Sequence, residues 1–352
     1  MTPRPVASLS LDLDDLWTYL RTHGDPAWSA RPSYLATFVP RMLDLLDECG
    51  VSITWFLVGH DAARDEHHDR LRAIAERGHE IGNHTFEHEP WLQRYTPAEL
   101  DEELGRAEAA IEAATGVRPM GFRGPGFSWS PSLLRTLVRR GYAYDASTFP
   151  TFLGPLARLY FLATARLTPE ERERRAGLFG TWRDGLRPLG PYEWDVDGRP
   201  LLEMPVTTIP GVRAPFHLSY LIYLSRISTP LATGYLRAAI AACRAAGVGP
   251  SFLLHPLDLL GADEAPGLAF FPGMTLPVAH KRRVTVEALR LLGEAFELVP
   301  MGEHARRVRA DAAAGRARLR VEAIEPTMGA APRAPASLPR STTLPTSARS
   351  EP

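Results

Sequence analysis

Two cysteines in 352 residues, Cys49 and Cys243, are too few for a disulfide framework. Both stand in apolar stretches with helical spacing, where buried free thiols are expected. Lysine is scarcer still: Lys281 is the only one, and nearly every basic residue is arginine, which reads as genome composition rather than chemistry. Net charge is −1, which excludes a general nucleic-acid binder. No apolar run reaches the roughly 18 residues of a membrane span. The first residues hold one arginine and no apolar core of a signal peptide, so a cytoplasmic location is expected. What remains is ordinary: 45% hydrophobic and 23% charged residues, enough for one large domain or two small ones.

Residues 6–13, VASLSLDL, alternate apolar with small or polar residues and read as a strand. That strand runs into Asp12, Asp14 and Asp15. Asp12 and Asp14 are two apart and point to one side of an extended chain. Two carboxylates there repel each other unless a cation or a proton intervenes, although capping a following helix would use them equally well. Residues 17–33 contain Gly, Pro and Trp and read as a loop. The spacing of Phe38, Met42, Leu45, Leu46 and Cys49 predicts a helix over 34–49, stopped by Gly50. Strands over 51–58, 79–83, 119–123 and 142–147 then alternate with helices over 61–77, 96–115 and 130–140. Thr96 and Glu99 form a capping box for the second of these helices. This rhythm argues for parallel strands, in an α/β barrel or a doubly wound sheet.

The rhythm breaks at Pro150. Residues 151–199 read as a long insertion holding LARLYFLATARL (156–167), an Arg/Glu-rich helix and a loop rich in Gly, Pro and Trp. Strands resume at 201–207, 250–255 and 296–299, with helices over 229–246 and 284–292. Residues 304–324 form a basic, helical extension. Residues 325–352, mostly Pro, Ala, Ser and Thr, cannot order themselves by burial and read as a disordered tail.

His84 and His88, in HEIGNHTFEH, are four apart. On a helical turn that spacing puts both imidazoles on one face, and two neutral imidazoles suit a divalent metal, most often zinc. A pair of surface histidines is the plainer reading of HxxxH alone. Taken with Asp12, Asp14, Asp15, Arg123, Asp145 and His255, however, the histidines belong to a series. Each group sits at the carboxyl end of a different strand, and in a parallel α/β fold those ends meet at one face. Taken singly, Arg123 fits an ordinary ion pair, Asp145 a turn cap and His255 a satisfied core histidine. His60, His67, His68, His79 and His217 read as structural or surface residues, with His217 inside an aromatic stretch that could line a cleft. Phe127 and Trp129 suit either stacking on a sugar or core packing.

The stretches SLDLDD (10–15), WFLVG (55–59), GHEIGNHTFEH (78–88), FRGPGFS (122–128), YDAST (144–148) and FLLHP (252–256) resemble the polysaccharide deacetylase family, the NodB-homology or carbohydrate esterase family 4 domain. The resemblance covers about residues 6–299, broken by the 151–199 segment. It implies a deformed (β/α) barrel and a metal-dependent N-deacetylase. The first motif departs from the common pattern of two adjacent aspartates and a glycine: Leu16 stands where the glycine would be. It is similar to a subgroup with an aspartate-x-aspartate arrangement, which includes some membrane-linked exopolysaccharide deacetylases and small-amide hydrolases. By that match Asp12 is the base and Asp14 a metal ligand; by the commoner match Asp14 is the base and Asp15 the ligand. The shared strand face favours the first. The family pattern further implies His84 and His88 as metal ligands, zinc as the ion, Arg123 as holder of the base, His255 as the acid and Asp145 as its partner.

The domain expected is therefore 1–303 with its insertion. The expected substrate is an N-acylated amino sugar of a polysaccharide or lipid-linked glycan, with peripheral membrane contact through 156–167 and 215–224. A non-sugar amide or cyclic imide is the second substrate reading, and a glycan-binding barrel without turnover the third.

Overall fold

The computed structural model describes residues 4–154, 167–175 and 182–324. Its strands are β1 (Val6–Leu13), β2 (Thr54–Leu57), β3 (Glu80–Asn83), β4 (Gly121–Phe122), β5 (Tyr144–Asp145), β6 (Tyr192–Val196), β7 (Arg199–Glu203), β8 (Ser251–Leu254), β9 (Glu297–Pro300) and β10 (Val321–Ala323). They form one sheet in the order β10-β6-β7-β5-β4-β3-β2-β1-β8, with β9 also paired to β1. Every pairing is parallel except β6 with β7. Past β7 the chain reaches β8: Thr207 N–H donates to Ser251 O at 3.1 Å and Ser251 N–H to Thr207 Oγ1 at 2.9 Å. These bonds curl the sheet into a deformed (β/α) barrel.

Alternation along β1 sorts its two faces. Leu9, Leu11 and Leu13 join the large core formed with the helices Leu35–Cys49 and Val278–Ala295. Ser8, Ser10 and Asp12 take the other face. There Ser8 meets His304 and Ser10 meets Arg123. A second apolar cluster, Phe56, Tyr144, Ala146, Leu202, Met204 and Met301, comes from the neighbouring strands and the helix Met301–Ala313.

Several elements differ from the sequence reading, each for a local reason. Residues 17–33 are not all loop: Asp15 caps a helix over Leu16–His23, closed by Gly24 in the left-handed region. The 151–199 segment contains β6. Asp197 and Gly198, both at positive φ, make the two-residue turn that returns the chain as β7. That Asp-Gly signal was in the sequence. Residues 156–166 lie outside the described residues, as does the 325–352 tail.

The last helix starts at Met301, not 304, and ends at Ala313. It is no appendage. Met301 and Ala305 are buried, and β10 follows to extend the sheet beside β6. The stretch 215–224 supplies the helix Leu218–Ser225, whose Leu218, Leu221 and Ile222 are buried with Phe216. These side chains pack into the large core. No helix among the described residues is long and apolar enough to cross a membrane. Cys49 and Cys243 are free thiols.

Candidate active site

At the carboxyl end of β1, Asp12 meets Arg123, which follows β4. Arg123 Nη1 donates to Asp12 Oδ1 at 2.7 Å and to Ser10 Oγ at 2.9 Å, and Nε donates to Ala146 O at 3.1 Å. The guanidinium is fully buried and lies 4.4 Å from the centroid of the Phe56 ring. A cation so placed is tolerable only because carboxylate, hydroxyl, carbonyl and ring face surround it.

Just past β1, Asp14 Oδ1 lies 2.8 Å from His88 Nε2 and 3.3 Å from His84 Nε2. His84 Nδ1–H donates to the Arg123 carbonyl at 2.7 Å, which fixes its tautomer and leaves Nε2 free to bind. Asp14 Oδ1 and both ring nitrogens of His88 are buried without a hydrogen bond. Burial works against ionisation of Asp14, yet His88 and His84 outweigh it and hold the carboxyl well below its usual range. Three converging donors, two imidazole nitrogens and one carboxylate oxygen with no other hydrogen-bond commitment, fit a divalent metal.

The His84–His88 stretch is no helical turn. Thr85 and His88 both take positive φ, +66° and +53°. Side chains hold this unusual path. Asn83 Oδ1 accepts from Thr85 N–H at 2.7 Å, and Thr85 Oγ1 accepts from His88 N–H at 3.1 Å. Glu103, from the helix Pro97–Thr115, accepts from Phe86 and Glu87 N–H at 2.9 and 2.6 Å. The spacing of four thus brings the imidazoles together through a pinned loop, their ring centroids 4.9 Å apart.

Asp15 turns elsewhere. Its Oδ1 accepts from Leu16 N–H and Tyr34 N–H, and it groups with Asp61 and His67 rather than with the two site histidines.

Asp145 also departs from its expected place. It stands opposite Glu203 in the β5–β7 register and accepts from Ser147 Oγ at 2.5 Å. Burial, then the Glu203 carboxyl, pushes its pKa well above the ordinary value. Glu203 is itself held by Thr148 N–H, Thr148 Oγ1 and Trp194 Nε1. Among the described residues no contact joins Asp145 to His255. Adjacent parallel strands carry register partners on one face, so Asp145 meets Glu203.

His255 follows β8 and has other company. Ser219 Oγ lies 3.3 Å from its Nδ1, and Asp258 Oδ2 accepts from its backbone N–H at 2.9 Å. The His217 ring is 5.8 Å away and, buried, has its pKa pushed well below the ordinary value. His255 and His217 line a cleft of about 290 Å³ with Tyr19, Phe127, Phe149 and Tyr223. Trp129 lines it too, but packs on Trp194 with Arg187 over its face. Asp258 was legible as the acid three residues after His255. Tyr19, Phe149 and Tyr223 carried no local signal.

Residues 8–144 match the polysaccharide deacetylase family. Over 126 residues the chain is 33% identical to the peptidoglycan deacetylase-like protein FGM2 of Gibberella zeae, covering 35% of each chain. Over 137 residues it is 33% identical to a chitooligosaccharide deacetylase of Bradyrhizobium sp., covering 36% of this chain and 60% of that one. The chain thus spans about a third of the first relative's length and three fifths of the second's. A solved structure from Mycobacterium smegmatis, assigned to the polysaccharide deacetylases, superposes with a TM-score of 0.58 over 94% of this chain and 96% of that one at 21% identity, which is a likeness of fold. The matched segment carries Asp12, Asp14, His84, His88 and Arg123, while Asp145 and His255 lie beyond it. By that match residues 8–144 of this chain resemble the polysaccharide deacetylases.

Proposed function

We propose that this chain is a metal-dependent hydrolase that removes an N-acetyl or similar N-acyl group from an amino sugar of a polysaccharide or lipid-linked glycan. The observation that carries the reading is the pairing of two groups on one loop face. Arg123 clamps Asp12, and its backbone carbonyl orients His84 in the Asp14–His84–His88 group. The names of the relatives, deacetylases of peptidoglycan and chitooligosaccharide, support the substrate class.

A divalent ion held by Asp14, His84 and His88, zinc by the donor set, supplies a Lewis acid for the acyl carbonyl and lowers the pKa of a water. Asp12 takes a proton from the attacking water as general base. Arg123 fixes the direction of the Asp12 carboxylate through Nη1. As the C–N bond breaks, His255 gives a proton to the leaving amine. Ser219 contacts that imidazole and Asp258 holds the backbone that carries it, a role expected of Asp145 from sequence. The aromatic walls of the cleft, Tyr19, Phe127 and Tyr223, bind the sugar faces. One carboxylic acid and one amine leave for each water consumed.

Acetate release from N-acetyl-chitooligosaccharides tests this reading, with metal content measured on the same samples. The zinc-loaded wild type should release acetate. Asp12→Asn should keep its metal and lose about 10²-fold or more in rate, the usual contribution of a general base. No release from any acetylated glycan, with metal bound, would remove the reading.

A further inference from the structure

One residue past Asp14 the chain builds a second, separate group. Asp15 caps the helix Leu16–His23, Asp61 lies in the short helix Gly59–Ala62, and His67 ends the turn Asp65–His67. One ligand atom from each falls within 4.8 Å of the others. All three are buried, at 0%, 2% and 4% exposure.

Each carboxylate is anchored mainly through Oδ1, with the Ser33 hydroxyl also close to Asp15. Asp15 Oδ1 accepts from Leu16 N–H at 2.7 Å and Tyr34 N–H at 3.0 Å, and Asp61 Oδ1 accepts from Trp17 Nε1–H at 2.8 Å. Asp15 Oδ2, Asp61 Oδ2 and both ring nitrogens of His67 are buried with no hydrogen-bond partner. Glu66 Oε1 stands 3.6 Å from His67 Nε2, too far for a hydrogen bond. Arg31 and Arg64 act on Asp61 through space, and Arg64 on Asp15 too, but neither forms an ion pair with them: Arg64 pairs with Glu66, and Arg31 reaches Glu87 at 3.8 Å with its Nη1 buried and unpartnered. Two buried carboxyls with free oxygens facing a free imidazole are expensive unless something joins them.

We infer that Asp15, Asp61 and His67 bind a second divalent transition-metal ion, distinct from the one at Asp14. Two carboxylate oxygens and a neutral imidazole suit zinc, manganese or iron better than calcium or magnesium, which prefer oxygen alone. Burial takes His67 down to about 4, so its ring is neutral and able to coordinate at pH 7. The ion would tie the turn after β1 to the segment after β2. It would thereby brace the backbone that presents Asp14.

Metal content per chain after zinc loading and desalting decides the matter, on wild type, Asp61→Asn, His84→Ala and the double variant. The expected series is two ions, one, one and none. A wild type with one ion, kept in Asp61→Asn and lost in His84→Ala, would overturn the inference and leave Asp15 and Asp61 sharing a proton. If Asp61→Asn does not fold, His84→Ala decides alone: one retained ion supports the second site, none overturns it. One ion in wild type, lost in Asp61→Asn but kept in His84→Ala, would uphold this site and remove the metal from Asp14.

Discussion

Arg123 joins three parts of the site: the Asp12 carboxylate, the fixed tautomer of His84 and the backbone carbonyl of Ala146. Its guanidinium cannot be replaced by an ammonium without losing the fork that reaches Asp12 and Ala146 together. Arg123→Met leaves Asp12 buried and unpaired. We expect unfolding free energy to fall by about 3–5 kcal/mol, the range for breaking a buried pair, with activity lost even below the melting point. Urea unfolding checks the first and acetate release the second. An unchanged midpoint would mean that Asp12 does not depend on this cation. Ser219→Ala should act more mildly. With His255 Nδ1 freed, kcat should fall several-fold while metal content stays constant.

The His84–His88 loop is held from beneath by a carboxyl that burial pushes up to about 7, Glu103. The folded value exceeds the ordinary one near 4.5, so the folded state holds the extra proton between those pH values. Stability from this group is therefore present at low pH and lost as pH rises from about 4.5 to about 7. The loss amounts to about 3 kcal/mol. Glu103→Gln keeps an oxygen for Phe86 and Glu87 N–H and removes the titration. Its urea midpoint should change less between pH 5 and 8 than the wild type's; parallel curves would refute the assignment. The strands themselves depend on missing side chains. Gly82 on β3 lies beneath Phe56, its register partner on β2, and Gly121 on β4 beneath Tyr144 on β5. An added Cβ would come to 2.5 Å from the Phe56 ring or 2.2 Å from the Tyr144 ring. Gly121→Ala should therefore cost about 1–3 kcal/mol, as overpacking does.

Closure of the barrel requires distant parts of the chain. β1 pairs with β2, β8 and β9, and Met301, after β9, packs with Phe56 and Tyr144 and gives its sulfur to Arg123. A chain ending at 300 should fail to fold, whereas one ending at 324 should unfold like the full chain; circular dichroism melts of the two separate these outcomes. Metal should also bind the halves together, since Asp14 comes from the end of β1 and the histidines from the end of β3. At an ion concentration of 100 times Kd the gain is about 2.7 kcal/mol, so a chelator should lower the wild-type Tm and leave His84→Ala less affected.

Much of this was legible along the chain. The alternation of 6–13, the capping box at Thr96 and Glu99 and the order of strands and helices are local patterns of burial and hydrogen bonding. The placement of Asp12, Asp14, His84, His88 and Arg123 was legible for a related reason: each lies at or past a strand's carboxyl end, and parallel strands bring those ends to one face. Sequence could not say that His84 and His88 meet through left-handed backbone, because Asn83, Thr85 and the distant Glu103 decide that path. Nor could it separate Asp14 from Asp15, since one turn of backbone sends Asp14 to the histidines and Asp15 to Tyr34 and Asp61. The partner of Asp145 was settled by strand register, which sets Glu203 beside it. The walls of the cleft depend on packing between residues more than two hundred positions apart, such as Tyr19 and Phe271. Sequence by itself determined the donors and their order, because side-chain chemistry and strand periodicity are local. Only the tertiary structure decided which donors face each other, because contact depends on register and closure.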